Sequence, residues 1–134
     1  MLAKEYFAAL QQALAKSPSC SQQVNFDART EYIGVVRGTL IFEDESILHF
    51  TEYVNTEHQI QRLKYRYQYQ RADGVTIFRY DNAPHHKSVS TFPHHKHIGA
   101  GGQPVESTAP ELQDVLDEII SLILTQISKE QTSE

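Results

Sequence analysis

The sequence predicts an α+β fold: a single antiparallel sheet of four or five strands flanked by an N-terminal and a C-terminal helix. Three observations lead there. Apolar residues recur at helical spacing near both ends of the chain, and between those ends the period drops to two. The links between the alternating runs are short and polar, which favours antiparallel neighbours because parallel ones need long crossovers. At 134 residues the chain fits one domain and can bury roughly two-thirds of its unfolded surface, so it needs no disulfide or structural metal to fold.

The first helix is expected over residues 2–16, where Leu2, Tyr6, Phe7, Leu10 and Leu14 share a face and Ser17-Pro18 stops the run. The sheet spans about residues 22–82. Its first clear strand is EYIGVVRGTLIFED. There Tyr32, Val36, Leu40 and Phe42 share a side with Gly34 and Gly38, and glycine inside a strand points to a bulge or a close backbone approach. The turn EDES (43–46) leads into SILHFTEYV. A third strand, QRLKYRYQYQ, sets Leu63, Tyr65, Tyr67 and Tyr69 on one side and Arg62, Lys64, Arg66, Gln68 and Gln70 on the other. The Asp-Gly of RADG (71–74) marks a tight hairpin into VTIFRYDN. A histidine-rich loop follows at 83–99, then a flexible Gly-rich linker at 99–107. The last helix is expected over 108–129, with Thr108 and Glu111 as a capping box, Pro110 in its first turn and an apolar stripe from Leu112 to Ile127.

The single cysteine, Cys20, cannot form an internal disulfide and reads as a small, partly buried packing residue in a reducing compartment. MLAKEYFAALQQALAK lacks the uninterrupted apolar core and cleavage site of a signal peptide, and the run IISLIL is too short to span a bilayer. The expected location is the cytoplasm, with no membrane contact.

A net charge of −5 argues against indiscriminate coating of nucleic acid, yet the charge is segregated. Residues 58–97 hold seven Lys/Arg against two acids, together with six of the seven histidines. Such a basic segment in an acidic body suits an anionic partner.

Five histidines fall within APHHKSVSTFPHHKHIG (83–99). His95-x-His97 places two imidazoles on one side of an extended segment, with His85, His86 and His94 nearby, but no recognised zinc spacing matches and the nearest acid is Asp81. No resident metal or cofactor is therefore expected. Metal-free RNA cleavage requires a base, an acid and cations for the phosphorane charge, and histidine serves as either proton carrier near neutrality. His94, His95 and His97, with Arg66, Arg79, Lys87 and Lys96, include every residue type required. Asp81 and Asn82 suit a turn before Pro84, or Asp81 could orient a histidine. Alternation of cations with Tyr65, Tyr67 and Tyr69 is consistent with a base-stacking surface, or with a tyrosine core beneath helices and a cationic face left for phosphates. Glu52, in an otherwise apolar strand, would pair with an arginine across the sheet or serve as a site carboxylate. His49 and His58 read as surface residues.

The stretches VVRGTLIFEDESILHFTEYV, LKYRYQYQ and IFRYDNAPHHKSVSTFPHHKHIG resemble the TumE-like family, small bacterial and archaeal proteins regarded as toxin components of toxin–antitoxin pairs. The resemblance covers roughly residues 30–125. It implies a cytoplasmic protein neutralised by a cognate DNA-binding antitoxin, and carries over Tyr65, Arg66, Tyr67, Arg79, Asp81, Asn82, His85, His86, His94, His95 and His97. Together these readings predict a toxin that acts on RNA as a metal-independent endoribonuclease. In it His94, His95, His97, His85, His86 and Asp81 form the catalytic set, and Lys64, Tyr65, Arg66, Tyr67, Arg79, Asn82 and Lys96 hold the substrate. The alternatives are a non-catalytic sheet protein that binds a protein or RNA partner, and a zinc-dependent phosphoesterase. Open sheet edges also suit a homodimer.

Overall fold

The structure, a computed structural model, describes residues 1–132. Helix α1 (Ala3–Lys16) is followed by strands β1 (Ser21–Ala28), β2 (Ile33–Ile41), β3 (Ile47–Asn55), β4 (Gln61–Gln70), β5 (Thr76–Asp81), β6 (His95–Ile98) and β7 (Val105–Glu106), and by helix α2 (Leu112–Thr132). The strands pair antiparallel in sequence order as a seven-stranded meander. The α+β class and the flanking helices are as expected, but the sheet is larger than four or five strands. The extra pairing comes from β1, which has only Val24 and Phe26 as large apolar residues, and from two short strands inside the stretches read as the histidine loop and the Gly-rich linker. No helix among the described residues is long and apolar enough to cross a membrane.

Both helices lie on the same side of the sheet. Phe7, Leu10 and Leu14 of α1 and Leu112, Val115, Leu116 and Ile119 of α2 join Leu40, Phe42, Leu48, Phe50 and Phe78 in one buried cluster. The three tyrosines of β4 belong to it, each 2% exposed or less. They are core residues with bonded hydroxyls rather than a stacking surface. Gly34 and Gly38 mark close approaches. A Cβ on Gly34 would lie 2.5 Å from the Phe7 ring and one on Gly38 would lie 2.3 Å from the Phe50 ring. The RADG hairpin forms as expected, with Gly74 at φ 89°.

Three local expectations are corrected. The pairing of β3 with β4 slips between Tyr53 and Val54, where Tyr53 faces Lys64 but Val54 faces Arg62. This bulge turns Arg62 towards the helices and leaves Leu63 43% exposed, the reverse of strict alternation. Helix α2 starts at Leu112 rather than 108, and its cap is the Glu111 N–H donating to Asp114 Oδ2 at 2.9 Å instead of a Thr108–Glu111 box. Cys20 is exposed rather than partly buried, because it precedes edge strand β1.

The face turned away from the helices carries two polar rows. Register aligns Asn25, Arg37, Thr51, Arg66, Asp81 and His95 in one row across β1 to β6. The adjacent row is Gln23, Thr39, His49, Gln68, Arg79 and His97. Both rows run into the histidines on β6.

Candidate active site

Alternation along β6 decides which histidines meet. His95 and His97 point to the free face, whereas His94 and Lys96 turn under the helices. His94 stacks on the Tyr65 ring at 5.8 Å, and the Tyr65 hydroxyl lies 2.8 Å from its Nδ1. Burial pushes that hydroxyl up to about 12, so it stays protonated beside the ring. Burial, then the nearby Arg62 guanidinium and His95, lower the His94 pKa. Lys96 lies over Tyr80 at 4.7 Å and donates to Glu118 Oε2 of α2 at 2.8 Å.

On the free face His95 is 2% exposed and both its ring nitrogens are held. Nδ1 lies 2.9 Å from the Pro93 carbonyl and Nε2 lies 2.9 Å from Asp81 Oδ1. Asp81 also accepts from the Ala83 N–H at 3.0 Å and from Arg79 Nε at 3.0 Å. It therefore performs both roles the sequence left open, closing the turn and orienting a histidine. Arg79 uses only its Nε in that contact.

His97 offers Nδ1 to the Gly102 carbonyl at 3.4 Å. Its Nε2 is buried and is the only buried side-chain nitrogen or oxygen without a partner among the described residues. Burial lowers the His97 pKa, with Arg79 and His95 adding to that effect, while the Gly102 carbonyl and Asp81 act in the opposite direction. The loop that leaves β5 carries His86 back over this point. Ring centroids are 5.0 Å apart for His86–His95, 5.4 Å for His86–His97 and 5.0 Å for His95–His97. One ligand nitrogen from each ring lies within 4.8 Å of the others, a grouping that could hold a metal ion. A small cavity of about 280 Å³ opens beside the cluster, lined in part by Lys64, Arg66, Arg79, His85 and His86.

The expected site residues thus divide into two groups. His86, His95, His97, Asp81, Arg79 and Arg66 share the free face, with Lys64 and His85 at the cavity. Tyr65, Tyr67, His94 and Lys96 face the helices. Asn82 is occupied in strand pairing: it accepts from the Tyr65 N–H at 3.0 Å and donates to the Leu63 carbonyl at 3.2 Å. Glu52 is fully buried and accepts from the Tyr6 and Tyr67 hydroxyls rather than pairing with an arginine. Sequence reasoning did not single out the contribution of β1 to β3. Arg37 and His49 join Arg66 and Gln68 around a groove of about 940 Å³ on the same face. Alternation shows that Arg37 and Arg66 sit on polar strand faces, but only the register shows that they share a row.

The family model described as toxin TumE matches residues 10–127, most of the chain, including the later part of α1 that the resemblance left out. No curated protein and no solved structure matches. The chain belongs to the TumE family of toxins, so its expected partner is an antitoxin.

Proposed function

We propose that this TumE-family toxin acts on cytoplasmic RNA as a metal-independent endoribonuclease held in check by a cognate DNA-binding antitoxin, with the His86–His95–His97 cluster as its catalytic centre. The observation that carries the reading is His97 Nε2, buried and unpartnered among the described residues between two further imidazoles and beside Arg79. A proton-transfer group needs such an uncommitted nitrogen, together with a fixed ring and cations for developing charge.

In this mechanism one of His86 and His97 removes the 2′-hydroxyl proton, and the freed oxygen attacks the adjacent phosphorus. The other imidazole protonates the departing 5′-oxygen. The products are a 2′,3′-cyclic phosphate and a 5′-hydroxyl, with no net change in protons. Arg79 and Arg66 balance the charge on the phosphorane. His95, fixed by Asp81 and the Pro93 carbonyl, is a positioning residue that holds the other two rings apart and oriented. His94 has no place in this set, since its ring is committed to Tyr65 on the other face.

A second reading, a zinc-dependent phosphoesterase, is favoured by the same convergence. His97 presents Nδ1 to a backbone carbonyl, the arrangement that leaves Nε2 for a metal, whereas His95 would have to exchange its Nε2 contact with Asp81 for the ion. A bound zinc ion would supply an activated water.

The test is cleavage of end-labelled RNA by tag-free protein, with and without EDTA, beside H86A, H97A and H94Q variants. Cleavage that persists in EDTA, ends in a cyclic phosphate, is lost in H86A and H97A and survives in H94Q supports the acid–base site. Activity lost in EDTA and restored by zinc replaces it with the second reading. Toxicity that survives in H86A and H97A without RNA cleavage would leave binding by occupancy.

A further inference from the structure

We infer that the substrate strand is single-stranded RNA and that it crosses the free sheet face along the two polar rows, from the groove over β1 to β4 to the histidine cluster at β6. The inference rests on the RNA-cleaving reading and adds the substrate class and a binding track remote from the chemistry.

The rows are continuous from β1 to β6, five strand spacings of about 4.8 Å, or about 24 Å in all. Arg37, Arg66 and Arg79 supply one cation on each of β2, β4 and β5. Neither row contains an acid before Asp81, and that carboxylate is already held by Arg79 and His95. Among the described residues Arg37 has no ion-pair partner, and the Arg66 side chain has one hydrogen bond, to Gln68 at 2.5 Å, and no ion pair. Beside the cations stand amides and hydroxyls, notably Asn25, Thr51 and Gln68, which can donate to and accept from base edges and the 2′-hydroxyl. A track with so few exposed apolar side chains does not suit a protein partner, whose docking patch would be apolar and aromatic at its centre.

The chemistry favours a single strand over a duplex. Attack by a 2′-hydroxyl in line with its own leaving oxygen needs a backbone free to swing out of A-form geometry. The reacting phosphate must also reach His97 Nε2, which lies below the surface behind His86. A duplex presents its phosphates on a rigid, wide cylinder and reaches neither. With no Phe, Tyr or Trp in either row, binding is dominated by phosphate contacts. It is then weakly selective for sequence and sensitive to salt.

The experiment uses the full chain carrying H97A, so that bound RNA stays intact. The anisotropy of a labelled single-stranded RNA is followed from 50 to 200 mM salt, beside the same sequence as a blunt duplex. Three phosphate-binding arginines give a log–log salt slope of about −2, and R37A should reduce it by about 0.7 while weakening binding several-fold. R37E should weaken binding more than tenfold, and T39K should strengthen it. In the active protein R37A should slow cleavage of a long RNA but leave cleavage of a dinucleotide unchanged, because Arg37 on β2 lies about four strand spacings from the cluster at β6. Equal binding of duplex, or an unchanged slope in R37A, overturns the track. So does loss of antitoxin binding in R37E with RNA binding intact, which would make the face an antitoxin surface. Failure of the catalytic reading looks different: RNA cleavage undiminished by H86A or H97A.

Discussion

Replacement of Glu52 by Gln should weaken the whole fold, because this carboxylate on β3 ties α1 to β4 and anchors a network that reaches the segment ahead of α2. It accepts from Tyr6 of α1 and, at 2.6 Å, from Tyr67 of β4. The Tyr67 hydroxyl in turn accepts from Arg62 Nη1 at 2.9 Å, and Arg62 also donates to the Pro110 carbonyl ahead of α2. Burial and the adjacent carboxylate hold the Tyr67 hydroxyl well above its ordinary pKa, so it remains a donor. Two hydroxyl donors need two acceptor oxygens, and a glutamine offers one. Its NH2 group would face either Tyr6 or Tyr67, leaving one buried O–H without an acceptor and the other bond without its charge. Loss of a charge-assisted bond is worth about 1.5–3 kcal/mol and an orphaned buried hydroxyl about 1–3 kcal/mol. Because the two overlap, the expected loss is about 3 kcal/mol, a fall in Tm on the order of 10 °C for a chain of this size. Urea denaturation of the wild type, E52Q, Y67F and the double variant measures it. The double variant should be less unstable than the sum of the singles by at least about 0.5 kcal/mol. An E52Q protein within about 0.5 kcal/mol of wild type, or strictly additive singles, would refute the network.

Gly38→Ala should cost about 1–3 kcal/mol, since the new Cβ would lie 2.3 Å from Phe50 Cε1, and F50L should recover part of that loss in the same denaturation assay. Acidification should destabilise the protein through His94. Its pKa is lowered in the folded state, so its contribution is complete above the unfolded value of about 6.5 and is lost as pH falls through the lower folded value. The urea midpoint should drop between pH 7 and pH 5, and H94Q, whose amide oxygen can still accept from Tyr65, should flatten that drop in part, with the rest belonging to His97. Glu118→Gln should loosen α2 over the β6 edge by about 1 kcal/mol, because the carboxylate accepts from Lys96 at 2.8 Å and from Tyr80 at 2.6 Å; hydrogen exchange at the Lys96 and Tyr80 amides would report it.

The parts of the fold that were legible in the sequence are those governed by local period. Leu10 and Leu14 at helical spacing, the Tyr65–Tyr67–Tyr69 stripe at spacing two and the Asp-Gly hairpin each depend on a few consecutive residues. Strand β1 escaped because an edge strand needs only one apolar face, and Val24 and Phe26 are too few to stand out against SQQVNFDA. The inversion at Arg62 and Leu63 escaped because a bulge is set by how two strands meet, not by either strand alone. The site divides in the same way. Parity along HHKH already separates His94 from His95 and His97, so grouping all three in one catalytic set conflicted with the extended conformation read for that segment. The return of His86 to the cluster depends on the path of the loop that joins β5 to β6, which no periodicity encodes. The partnership of Asp81 with His95 likewise depends on the β5–β6 register.

Register also reconciles a chain of net charge −5 with the RNA substrate proposed for it. Charge acts over a Debye length of about 8 Å at physiological salt, so a phosphate on the free face senses the two rows far more than the sum over the chain. The acids of α2, such as Asp114, Asp117 and Glu118, belong to the helical layer, beyond the sheet from Arg37, Arg66 and Arg79. A strand approaching from the helical side meets like charge, whereas one approaching the free face meets arginines and finds its path ending at the imidazoles. The net charge then sets orientation rather than affinity. Neutralising acids on the outer surface of α2, as in D117N, should therefore relax the preference for one face and increase non-specific RNA binding, while leaving the R37A decrement in salt slope unchanged. If D117N instead altered that decrement, the two layers would be electrostatically coupled and the free face could not act as an independent track.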